Sequence, residues 1–215
     1  MKLLFSSVVI CILPLLVVGD TSCIPVYNGV PNPAPAPDPV APDNFRVQFD
    51  VDIAASDPII MEVTRAWSPR GVDRFYALVK DGFYNCAAFF RVVPDFVVQY
   101  GIAAIPEETA KWDTAIEDDP VVQSNLQWTV SFATAGPDTR TTQLFINYVD
   151  NVQLDASGFS PFAMVTSGFD TALAITNPTP DDSNGVNQYL YTKHGNEWLL
   201  KAYPNVTLIS SVSIV

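Results

Sequence analysis

The stretch Phe89-Phe90-Arg91-Val92-Val93-Pro94-Asp95-Phe96-Val97-Val98-Gln99-Tyr100-Gly101 sets one arginine and one glutamine at fixed places in a run that is otherwise largely apolar. β-Branched and aromatic residues on either side of Pro94-Asp95 read as two short strands joined by a turn. With a period of two, Phe89, Arg91 and Val93 share one face, and Pro94, lacking an N–H, breaks the ladder. The second strand, from Phe96, carries Val98 on one face and sends Gln99 to the other. A guanidinium stays charged in a protein, so Arg91 either snorkels to water or faces a cleft in which something needs hydrogen bonds.

The same pattern extends outward in both directions. Residues 131–147 read as a strand, a Gly136-Pro137 turn and a second strand in which Gln143 and Phe145 point the same way. Upstream, Phe45, Val47, Phe49, Val51 and Ile53 alternate with Arg46, Gln48, Asp50 and Asp52, the pattern of a half-buried antiparallel strand. Asp57-Pro58 marks a turn, and Ile59 to Arg65 returns as a strand. Ser68-Pro69 then starts a helix that runs to about Asp81, with Ser68 as its cap and Val72, Phe75, Tyr76 and Val79 on one stripe. A second helix is expected over 171–176, capped by Asp170 and stopped by Asn177-Pro178. Residues 103–120 read as a long surface excursion, and 206–215 as a closing strand. Many short strands with few helices indicate a β-barrel whose ends the helices cover.

Five blocks of the chain, in one order, resemble the cyclophilin family of peptidyl-prolyl cis-trans isomerases. They are Trp67 to Phe75, Gly82-Phe83-Tyr84, Phe89 to Gly101, Phe132 to Asn147 and Leu154 to Phe162. For residues 45–215 the resemblance implies a mainly β fold, a closed eight-stranded antiparallel β-barrel with two capping α-helices. It also implies acceleration of Xaa-Pro isomerisation with no cofactor and no metal. By the same resemblance, Arg91 donates toward the proline nitrogen, Phe96 and Phe145 line the proline pocket, and Gln99 holds the substrate carbonyl or orients Arg91. Leu154 extends the apolar wall, Ala133 and Thr134 form the edge along which the peptide lies, and Gln143 buttresses the arginine. The chain departs from the family at four places. Phe90 and Phe159 stand where histidines are common, Gln153 where a tryptophan contacts the drug cyclosporin, and Trp128 where a glycine is usual. Weak cyclosporin binding is the expectation.

Composition bounds the rest. With 215 residues and 48% hydrophobic content the chain can bury one sizeable core. Met1-Lys2, an apolar run from Leu3 to Val18 and Gly19-Asp20 read as a signal peptide over 1–19, too short for the roughly 20 residues of a membrane span. A net charge of −12 argues against nucleic acid and anionic lipid as partners. Residues 20–44, with seven prolines between 24 and 43, read as a spacer arm. Cys23 and Cys86 are available for a bridge in an oxidising compartment, the alternative being a buried free thiol at Cys86. The only histidine is His194 and no CxxC is present, so no metal site is expected. Asn205-Val206-Thr207 matches a glycosylation acceptor. These features point to a monomeric isomerase of the secretory pathway, in the endoplasmic reticulum lumen or secreted, acting on proline-containing segments of folding clients without stable membrane association after signal cleavage. Two alternatives stay open: a catalytically weak module that binds proline peptides, and a chaperone-like scaffold.

Overall fold

In the computed structural model, which describes Cys23 and residues 37–215, the alternating run upstream of the arginine forms strand β1 (Asn44–Val51). The signal-peptide reading of 1–19 and most of the Pro-rich arm lie outside the described residues. Val47 and Phe49 of β1 are fully buried while Arg46 is exposed, so the period-two pattern sorts the two faces as the sequence requires. β1 pairs antiparallel with β2 (Ile59–Thr64), and α1 (Pro69–Lys80) follows. The remaining elements are β3 (Arg91–Val93), β4 (Val97–Tyr100), α2 (Pro106–Lys111), β5 (Thr129–Phe132), β6 (Leu144–Asn147), β7 (Pro161–Ser167), α3 (Phe169–Leu173), α4 (Gln188–Ala202) and β8 (Ile209–Ile214).

The strands make one antiparallel sheet in the order β3-β4-β6-β5-β7-β2-β1-β8, curled around a core that α1 fills. Val72, Phe75 and Leu78 of α1 are fully buried against Phe49, Met61, Tyr84, Tyr100, Phe132 and Phe162. The expected closed barrel is not formed: the ladder ends at β3 and β8, and the sheet is a half-barrel. β3 has only three residues, and the Phe90 carbonyl just before it accepts from the Val186 N–H, so the loop before α4 covers that edge instead of β8. The start of β8 and the residues just before it bond to the segment ahead of β3, through Cys86 N–H to Ile209 O at 2.7 Å and Phe89 N–H to Thr207 O at 3.0 Å.

The helices differ from the sequence reading in three ways. α2 lies within the expected surface excursion, α3 starts at Phe169 and ends at Leu173, and the long helical segment α4 was not anticipated at all. α4 is interrupted at Gly195, whose φ of 58° and ψ of −154° are not helical, and a Cβ there would run into the Ala104 carbonyl. Beside α4 sits a second small core of Phe90, Ile102, Val186, Tyr191, Leu199 and Leu208, which also takes in Cys23. Cys23 is disulfide-bonded to Cys86, and Asn196 Nδ2 donates to the carbonyls of both cysteines. The end of the arm is docked and not a free spacer: Asp38 pairs with the buried Arg74 of α1 at 2.9 Å, and the Ala41 N–H bonds to Asp73 Oδ1.

Candidate active site

The antiparallel register lines up Arg91 on β3, Gln99 on β4, Phe145 on β6 and Ser131 on β5 as direct cross-strand partners. The neighbouring row, Val92, Val98, Ile146 and Val130, is buried in the main core. Because successive side chains alternate faces, the Arg91 row is turned away from that core. A cleft of about 190 Å³ opens there, lined by Arg91, Phe96, Val97, Gln99, Ala133, Thr134, Phe145, Leu154 and Phe159.

Arg91 is held in one orientation by acceptors of two kinds. Its Nε donates to the Ser183 carbonyl at 2.7 Å and its Nη1 to Gln99 Oε1 at 3.0 Å, which leaves Nη2 without a protein acceptor among the described residues. Gln99 Nε2 in turn donates to Gln143 Oε1 at 2.8 Å. Burial pulls the Arg91 pKa below its ordinary value, but a guanidinium starts so high that it stays charged. The Arg91 guanidinium also stands 6.0 Å over the Phe96 ring. Phe96 itself is positioned by its backbone: its carbonyl accepts from the Tyr148 N–H and from Asn151 Nδ2. Asp95 makes the preceding turn with φ at 58°, a conformation aspartate tolerates better than most residues.

The opposite wall comes from a loop that a buried amide network fixes. Ser131 Oγ donates to Asn125 Oδ1, and Asn125 Nδ2 donates to Asp155 Oδ1 at 2.7 Å and to the Phe159 carbonyl at 2.8 Å. Burial works against ionisation of Asp155, yet bonds from Ser124 and from both the side chain and backbone of Asn125 outweigh it and hold the carboxyl below its ordinary value. The same network therefore sets Leu154 and Phe159, and the Phe159 ring meets Phe145 edge-on at 5.5 Å between centroids.

Eight of the nine side chains read from the sequence as the site line this one cleft, and Gln143 stands behind Gln99 instead of lining it. Val97 and the Ser183 carbonyl are additions. Val97 follows directly from Phe96 in the strand, whereas a backbone acceptor carries no residue signature. Phe90 is fully buried on the far side, against Tyr191, and Gln153 is exposed and bonded to Asn151 Oδ1. Asn205 sits exposed in the turn between α4 and β8.

A family model described as cyclophilin type peptidyl-prolyl cis-trans isomerase/CLD matches residues 48–193. A peptidyl-prolyl cis-trans isomerase of Schizosaccharomyces pombe is 35% identical over 117 residues, covering 51% of this chain and 73% of that protein. One from Streptomyces antibioticus is 32% identical over 137 residues, covering 59% of this chain and 82% of that protein. Among solved structures, a Cryptosporidium parvum cyclophilin type peptidyl-prolyl cis-trans isomerase superposes with a TM-score of 0.60 at 20% identity, over 80% of this chain and 98% of that one.

Proposed function

Because this chain belongs to the cyclophilin family of peptidyl-prolyl cis-trans isomerases, we propose that it accelerates rotation about Xaa-Pro bonds and does so in the Arg91 cleft. Rotation is slow because amide resonance must be broken, at about 18–20 kcal/mol for a peptide bond. The twisted state differs from the ground state in having a localised lone pair on the imide nitrogen. A donor aimed at that nitrogen, in a cleft that holds the ring away from water, stabilises the twisted state selectively. Arg91 supplies the donor through the free Nη2, and Phe96, Phe145 and Leu154 supply the ring pocket. Gln99, tied to Gln143, orients the guanidinium; Ala133 and Thr134 carry the peptide backbone. The observation that carries this reading is the fixing of Arg91 at Nε and Nη1 with its third nitrogen free at an aromatic cleft.

In this reading the protein acts as a monomer on proline-containing segments of client proteins in the secretory pathway. The signal-like residues 1–19, the disulfide and the exposed Asn205 support that setting. Binding of cyclosporin is weak, since Gln153 offers no aromatic ring and Phe159 no imidazole. The test is turnover of a blocked Ala-Ala-Pro-Phe peptide by exchange NMR. Wild-type protein accelerates the exchange, and Arg91→Ala lowers kcat/KM by about 10²- to 10³-fold with an unchanged fold. Binding without acceleration by the wild type would support the peptide-binding module instead.

A further inference from the structure

Two more cavities continue from the Arg91 cleft. One of about 410 Å³ shares Gln99, Ala133 and Thr134 with it, and a third of about 320 Å³ shares Asp113, Thr141 and Gln143 with the second. The shared walls make them one trough that runs from the proline pocket to the groove between α2 and α4. Its charges are few. Among the described residues, Arg91 is the single ionisable side chain lining the first cleft and Asp113 the single one lining the other two, which are otherwise lined by hydroxyls, amides and apolar groups. Asp113 lies on the turn after α2, exposed, with its N–H bonded to the Ala110 carbonyl. Its carboxylate has no cation or hydrogen-bond donor among the described residues, unlike Asp73, Asp81, Asp119 and Asp155, which all have one.

From the Arg91 cleft the bonded series Arg91, Gln99, Gln143 leads into the second cavity.

We infer that the substrate chain ahead of the proline runs along this series, and that the isomerase thereby selects Xaa-Pro segments that carry a lysine or arginine shortly ahead of the proline, with Asp113 as the group that recognises the cation. This rests on the Arg91 cleft being the proline site. An exposed ion pair supports a preference of about 1.5- to fivefold, which salt screens. The test compares kcat/KM for blocked Lys-Ala-Pro-Phe, Glu-Ala-Pro-Phe and Ala-Ala-Pro-Phe by exchange NMR. In the wild type the lysine peptide leads the glutamate peptide by that factor at low salt, and the gap narrows at high salt. Asp113→Asn brings the two together, and moving the charge behind the proline, in Ala-Ala-Pro-Lys against Ala-Ala-Pro-Glu, removes the preference. Equal values for the first two peptides, a ratio that persists in Asp113→Asn, or a preference only behind the proline would overturn the inference while turnover of Ala-Ala-Pro-Phe keeps the proline site standing. Failure to turn over any of the peptides would remove the proline site and this inference together.

Discussion

Arg91 uses its fork rather than its charge alone. Planar geometry lets it meet a carbonyl at Nε and an amide oxygen at Nη1 and still present a third nitrogen to the cleft. An ammonium is a point donor on a flexible stem and cannot meet all three demands. Arg91→Lys is therefore expected to lower kcat by about 10- to 100-fold with little change in KM or melting temperature, measured by steady-state turnover and a thermal melt. The sequence made Arg91, Gln99, Phe96 and Phe145 legible because polar residues at fixed places in apolar strands need a reason to be there. Ser183 was not legible, since its contribution is a carbonyl. Nor was the part played by Gly185, whose φ is 78° and at which a Cβ would lie 2.6 Å from the Arg91 Cβ, so the loop backbone packs directly on the start of β3.

Helix α1 shows how far local reading goes. Ser68-Pro69 does mark its start, but Ser68 makes no side-chain cap; its Oγ donates to Asp119 Oδ2, and the Asp119 carboxylate accepts from the Arg70 and Gly71 N–H groups. A cap supplied from some fifty residues along the chain has no local signature. Burial works against ionisation of Asp119, but the bonds from Ser68, Gly71 and Arg70 with the charge of Arg140 outweigh it and hold its carboxyl below the ordinary value. A depressed carboxylate contributes its stability in full above the unfolded value of about 3.9, and the contribution fades as pH falls through the lower folded value. The melting temperature should thus drop steeply below about pH 4, and Asp119→Asn should be less stable at neutral pH with a shallower acid limb, as read from melts over a pH series. α4 escaped the sequence reading because Gly195 breaks it and its apolar residues follow no sustained stripe. Strand identity was legible from alternation, whereas closure was not, since which edges meet is decided by distant loops such as the one covering β3.

At the level of the molecule, the ties on the arm include the Cys23–Cys86 disulfide, the Asp38–Arg74 pair and the bond from the Ala41 N–H to Asp73. The bridge joins residues 63 apart in sequence, for which the chain-entropy argument gives about 4 kcal/mol. Replacing both cysteines by serine should lower the unfolding free energy by that amount in a denaturant titration, and a change under about 0.5 kcal/mol would show the bridge to be energetically idle. The cysteines were legible as candidates, but their pairing depends on Asn196 and the small core beside α4, which the sequence did not reveal. The sheet order has a further consequence for how the chain is made. Among the described residues the outer edge of β1 is covered only by β8, and Ser211 and its β1 partner Asp50 are 161 residues apart. At about 5–20 residues per second of synthesis, that edge stays uncovered on the ribosome for about 8–30 s. A nascent chain with an open, alternating apolar strand for that long is an open template for strand pairing with its neighbours. The interval ends only when β8 has been made and has emerged, so the sheet is completed long after its first strands exist.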